Sequence, residues 1–156
     1  MKYNNFEKIV NHLIDKNKSI STMESCTGGL IASEITNIPN ASNIIKFSAV
    51  TYSNEYKIKM GVDPGLIDKF SVYSMEVAKD MSYKISKFAG SDIGVGVTGK
   101  LGKKDPANPR GEDNKVFISL YDKDTPADSC RFPRSERSRS RPWQPHQAAK
   151  RLRRRR

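Results

Sequence analysis

Apolar residues follow two different rhythms along the first 125 positions. Phe6, Ile9, Val10, Leu13 and Ile14 recur at helical spacing and predict an amphipathic helix over 4–17. The partly β-branched stretch 19–23 predicts a strand, and behind it Leu30, Ile31, Glu34 and Ile35 return to helical spacing. Pro39 ends that helix, 40–43 reads as loop, and 44–52 is the strongest strand signal. Asn54 is placed to cap a short helix through Met60, and 64–70 reads as a further helical turn. Ser74 caps a longer helix whose apolar positions are Val77, Ala78, Met81, Ile85 and Phe88, with Gly90 as its stop. The stretch 93–98 alternates glycine with Ile93, Val95 and Val97, predicting a buried strand that another backbone approaches closely. A polar loop fills 99–114, and 115–121 alternates as a last strand. Interleaved strands and helices predict an α/β class with helices on both faces of a central sheet.

Charge divides the chain in two. Of 156 residues, positions 1–125 carry a net charge of +2, whereas 126–156 carry +9. The body has one arginine, Arg110, against 16 lysines, and the tail has ten arginines and one lysine. This break near Thr125 predicts a domain over 1–125 and a separate arginine-rich segment over 126–156. Such a tail would contact phosphate backbones in a salt-dependent, sequence-blind way. No run approaches the ~18 apolar residues of a membrane span, and the first residues lack the apolar core of a signal peptide. The expectation is a cytoplasmic protein with no membrane partner. Cys26 and Cys130 provide no disulfide framework, and no His, Cys or carboxylate spacing suggests a metal site.

The candidate chemistry lies at the first strand-to-helix junction, Met23-Glu24-Ser25-Cys26-Thr27-Gly28-Gly29. A serine or cysteine there faces outward while backbone N–H groups at the helix start converge on the same point. Such a turn suits an anion or a developing oxyanion, so Thr27, Gly28 and Gly29 are candidate backbone donors to either. Cys26 is itself nucleophilic, although a cysteine amidase wants a histidine partner and neither His12 nor His146 lies in a motif.

Three separated segments, Glu24-Ser25-Cys26-Thr27-Gly28-Gly29, Tyr52-Ser53-Asn54-Glu55-Tyr56-Lys57 and Val97-Thr98-Gly99, resemble in order and spacing the CinA C-terminal domain family. The segment 71–78 is similar to that family's stretch before its long helix, and the resemblance covers about residues 5–122. Enzymatic members are nicotinamide-nucleotide amidohydrolases (PncC). The resemblance therefore implies a three-layer α/β/α sandwich with a mainly parallel or mixed sheet. It implies hydrolysis of the carboxamide of nicotinamide mononucleotide to nicotinate mononucleotide and ammonia, in pyridine-nucleotide recycling. It implies no cofactor, and assembly as a homodimer or higher homo-oligomer.

Carried over residue by residue, the resemblance implies that Ser25 is the nucleophile and Lys57 its general base. Tyr52 would orient both through its hydroxyl. Thr98 matches a site threonine, Gly99 allows close backbone approach, and Ser42 aligns with a serine implicated in the site. Cys26 would border the substrate, and Arg137 would stand where the family has a substrate-facing arginine. An ordinary lysine ionises near ~10.4, so burial is required before Lys57 serves as a base at neutral pH. The tail lacks the glycine and aspartate usual in the family's closing turn, so 126–156 reads as a foreign segment, a degenerate closing segment or a nucleic-acid-binding tail. That departure keeps a second class open: a nucleotide-binding or competence- and damage-related module without turnover.

Overall fold

The computed structural model describes residues 4–102 and 105–125. The tail 126–156, with Cys130, Arg137 and His146, lies outside them, as do Lys103 and Lys104.

The elements run α1 (Asn4–Asp15), β1 (Ile20–Glu24), α2 (Leu30–Thr36), β2 (Ile45–Val50), α3 (Asn54–Lys59), α4 (Pro64–Phe70), α5 (Met75–Ala89), β3 (Ile93–Lys100) and β4 (Lys115–Asp122). A 3-10 turn, Ala41–Asn43, precedes β2. The fold is α/β, on a four-stranded mixed sheet in the order β2-β1-β3-β4. β1 pairs in parallel with β2 and β3, and β4 runs antiparallel to β3.

Side-chain alternation along β1 sets the layers. Ile20 joins Val10, Leu13, Ile35, Val95 and Val97 in one buried cluster, on the side of α1 and α2. Met23 points the other way and joins Val62, Ile67, Val77, Met81 and Ile85 beneath α4 and α5. β1 is buried throughout, as its central place demands, whereas β2 is an edge strand with Phe47 and Val50 exposed.

The glycines of β3 are explained by α5. A Cβ on Gly94 would run into the Ser82 carbonyl, and one on Gly96 into the Ala78 carbonyl. The helix backbone therefore rests directly on the strand, as the glycine alternation predicts. On β4, Ser119 bonds Ser82 of α5 at 3.1 Å and the Tyr121 ring meets Tyr83 edge-on. Their neighbours Val116, Ile118 and Leu120 consequently face the opposite side, where all three are exposed.

Helix boundaries follow local chemistry. Ser74 caps α5, accepting from the Val77 N–H, and Gly90 ends the helix in a left-handed conformation. The cap of α3 is Ser53, whose hydroxyl accepts from the Tyr56 N–H at 3.3 Å, and not Asn54. Asn54 is instead the first helical residue, which frees its side chain for other contacts.

Candidate active site

Ser25 follows the last residue of β1, at the C-terminal edge of the three parallel strands. This is the edge where open α/β sheets place ligands. Its N–H continues the ladder to the Val97 carbonyl at 3.0 Å, which fixes the backbone beneath the side chain. β2 ends at the same edge, where the Thr51 N–H bonds the Glu24 carbonyl at 2.8 Å. The chain then turns through Ser53 into α3, whose first complete turn carries Lys57 back over the strand ends.

Lys57 is 1% exposed, among the most deeply buried large side chains described. Its Nζ lies 3.0 Å from Ser25 Oγ and 2.7 Å from the Thr51 carbonyl. Burial lowers its pKa from 10.5 to about 8, against smaller upward pulls from Cys26 and Asp105. At pH 7 roughly one molecule in ten then carries a neutral Lys57 amine, against about one in several thousand for an ordinary lysine. A neutral amine beside a serine hydroxyl is a nucleophile–base pair.

A cavity of about 280 Å³ opens over this pair. Ser25, Cys26, Lys57, Gly99 and Tyr52 all line it. Across from them, Tyr73 donates its hydroxyl to Asp105, which also accepts from Asn108 Nδ2 at 3.1 Å. Asn54 Nδ2 in turn donates to Asn108 Oδ1 at 2.6 Å. Burial, reinforced by the Asp105 bond, pushes the Tyr73 phenol well above its usual range, so it stays protonated. That same bond is the main cause that holds Asp105 below the usual carboxylate range. Lys100 also lines the cavity, almost buried, with Nζ 3.0 Å from Asp113.

The other expected site residues fall in different places. Tyr52 borders the cavity but is 78% exposed, and among the described residues its hydroxyl bonds neither Ser25 nor Lys57. The group that orients Lys57 is the Thr51 carbonyl. Thr98 is fully buried and spends its hydroxyl on the Val72 carbonyl at 2.8 Å, tying the segment before α5 to β3. Gly99 does border the cavity, and a Cβ there would come within 2.5 Å of the Lys115 carbonyl. Ser42 is exposed in the 3-10 turn that leads into β2. That turn sits at the N-terminal ends of the parallel strands, about 17 Å of strand away from Ser25. Arg137 lies outside the described residues.

Thr27, Gly28 and Gly29 build the turn and do not line the cavity. Gly28 and Gly29 take φ of 61° and 92°, which only glycine adopts without cost, and the Gly28 N–H bonds back to the Ser25 carbonyl. The Thr27 hydroxyl donates to Glu24 at 2.7 Å. Glu24 also accepts from the N–H groups of Ile31 at 3.1 Å and Ala32 at 2.9 Å. The start of α2 is therefore occupied by this fully buried carboxylate. Burial raises the Cys26 thiol, which disfavours the thiolate a cysteine nucleophile needs. His12, on α1, does not line the cavity.

Sequence reasoning missed Glu24, Asn54, Tyr73 and Asp105. Glu24 and Asn54 lie inside the motifs, where sequence alone gives Glu24 no role of its own and Asn54 only that of a helix cap. Among the described residues no cluster of His, Cys, Asp and Glu is arranged to hold a metal ion, and no helix is long and apolar enough to cross a membrane.

The family described as the CinA C-terminal domain matches residues 3–155 of the chain. A CinA-like protein of Kosmotoga olearia is 42% identical over 118 residues, which is 74% of this chain and 28% of that protein. A Clostridium kluyveri relative, provisionally named a competence-damage inducible protein, is 44% identical over 112 residues, 71% of this chain and 27% of its own. The chain thus spans about a quarter of the length of the curated relatives it matches. Among solved structures, a competence/damage inducible protein from Agrobacterium tumefaciens has a TM-score of 0.70 at 28% identity, over 78% of this chain and 74% of that one.

Proposed function

The chain belongs to the CinA C-terminal domain family, and from that premise we propose that it is a serine-dependent amidohydrolase acting on nicotinamide mononucleotide. The observation that carries the reading is the Lys57 Nζ, nearly inaccessible to water and 3.0 Å from Ser25 Oγ. A lysine meant only for solubility stays in water, because burying its charge is costly. This one is buried, held by the Thr51 carbonyl and aimed at a hydroxyl that lines a cavity.

In the proposed reaction, neutral Lys57 takes the Ser25 proton as Oγ attacks the carboxamide carbon. The carbonyl oxygen becomes an oxyanion, and the N–H of Cys26, next to the nucleophile, is the nearest backbone donor in sequence to stabilise it. Collapse of the adduct breaks the C–N bond, and Lys57 returns the proton to the departing nitrogen, releasing ammonia. Water, deprotonated by the same amine, then cleaves the Ser25 ester to give the carboxylate and restore the serine. The balance is amide plus water to acid plus ammonia.

The test is ammonia release from nicotinamide mononucleotide by the full chain beside Ser25→Ala. Release by the unaltered protein and its loss in a folded variant support the reading. Ammonia release that persists in Ser25→Ala overturns it. Nucleotide binding without any product would leave a recognition module instead.

A further inference from the structure

One buried acceptor in the cavity wall has no partner. Asn54 Oδ1 is shielded from solvent and receives no hydrogen bond among the described residues. Its orientation is dictated from a distance. Asp105 has only acceptors to offer when ionised, and its depressed pKa keeps it ionised. Asn108 must therefore turn its Nδ2 toward Asp105 and its Oδ1 away. That Oδ1 then accepts from Asn54 Nδ2, which leaves Asn54 Oδ1 as the open end of the relay. Asn54 stands three residues before Lys57, on the same face of α3, and both line the cavity that holds Ser25.

We propose that Asn54 is a specificity-determining residue whose Oδ1 accepts a hydrogen bond from the ligand's carboxamide N–H. The proposal rests on the amidohydrolase reading and deepens it. A carboxamide offers two N–H donors, whereas the carboxylate that hydrolysis produces offers none at neutral pH. An acceptor fixed in this direction therefore favours substrate over product. An acceptor–acceptor clash with the carboxylate also hastens product release.

The experiment measures binding of nicotinamide mononucleotide and nicotinate mononucleotide by calorimetry on Ser25→Ala protein, which does not turn over. The expected result is a preference for the carboxamide of about tenfold or more. In Ser25→Ala/Asn54→Leu that preference disappears, through weaker carboxamide binding and little change for the acid. In Ser25→Ala/Asn54→Ala the acceptor is likewise absent, so the preference is lost there too. The alanine variant, which suits a position in α3, keeps the test decisive if the leucine variant fails to fold. No preference in the parent, or a preference that moves in neither variant, overturns the proposal, while ammonia release by the unaltered protein would still uphold the activity. If neither nucleotide binds and the unaltered protein releases no ammonia, the activity and the inference fall together.

Discussion

Replacing Lys57 with methionine separates the cost of the buried amine from its use. The folded protein ionises Lys57 at about 8, against the ordinary 10.5. That difference corresponds to about 3 kcal/mol of stability withheld at neutral pH, because the folded state resists the charge. Between the two values the unfolded chain binds more protons than the folded one, so stability rises with pH in that window. From pH 7 to pH 9.5 the recovery is about 2 kcal/mol. Lys57→Met keeps the volume and removes the titration. Its lost contacts to Thr51 and Ser25 cost the same at both pH values and cancel in the comparison. Urea unfolding of both proteins at pH 7 and 9.5 should show unaltered protein gaining about 2 kcal/mol on the variant, roughly 1 M in midpoint. A stability difference that is identical at the two pH values would refute the claim that burial lowers this pKa.

Two other substitutions probe the framework of the site. Glu24→Ala leaves the Thr27 hydroxyl and the Ile31 and Ala32 N–H groups without their acceptor, and should cost about 3 kcal/mol in chemical unfolding and loosen the turn that presents Ser25. Gly96→Ala forces α5 off β3 and should cost about 3 kcal/mol, whereas Gly28→Ala, which meets open space and pays only for φ of 61°, should cost about 1; equal melting shifts for the two glycines would contradict the packing argument.

The layers were legible because their signals are local. The β-branched run of β1, the alternation along β4, the apolar stripe of α5 and the glycines of β3 each report an element, a face or a close approach within a few residues. Edge and centre were not legible: 44–52 gave the strongest strand signal, yet β2 is a half-exposed edge. The motif positions foretold that Ser25 and Lys57 belong together, while the burial that makes Lys57 a base depends on α3 folding over three strand ends. Glu24 was invisible because it caps α2 from seven and eight residues upstream, well beyond the spacing of an ordinary capping box. Asn54 looked like a helix cap for the opposite reason, since the local rule fits it but Ser53 takes the role. Thr98 and Ser42 stand apart from the Ser25–Lys57 pair in this chain. The Thr98 hydroxyl is spent on a strut to Val72, and Ser42 sits at the far end of parallel strands.

The pH dependence of ammonia release from nicotinamide mononucleotide tests the central claim most directly. If neutral Lys57 activates Ser25, kcat/KM climbs about tenfold per pH unit below its pKa and levels off above about 8. The whole profile vanishes in Ser25→Ala. A rate that is flat from pH 6 to 9, or one that survives the loss of Ser25, would contradict the pairing on which the account rests.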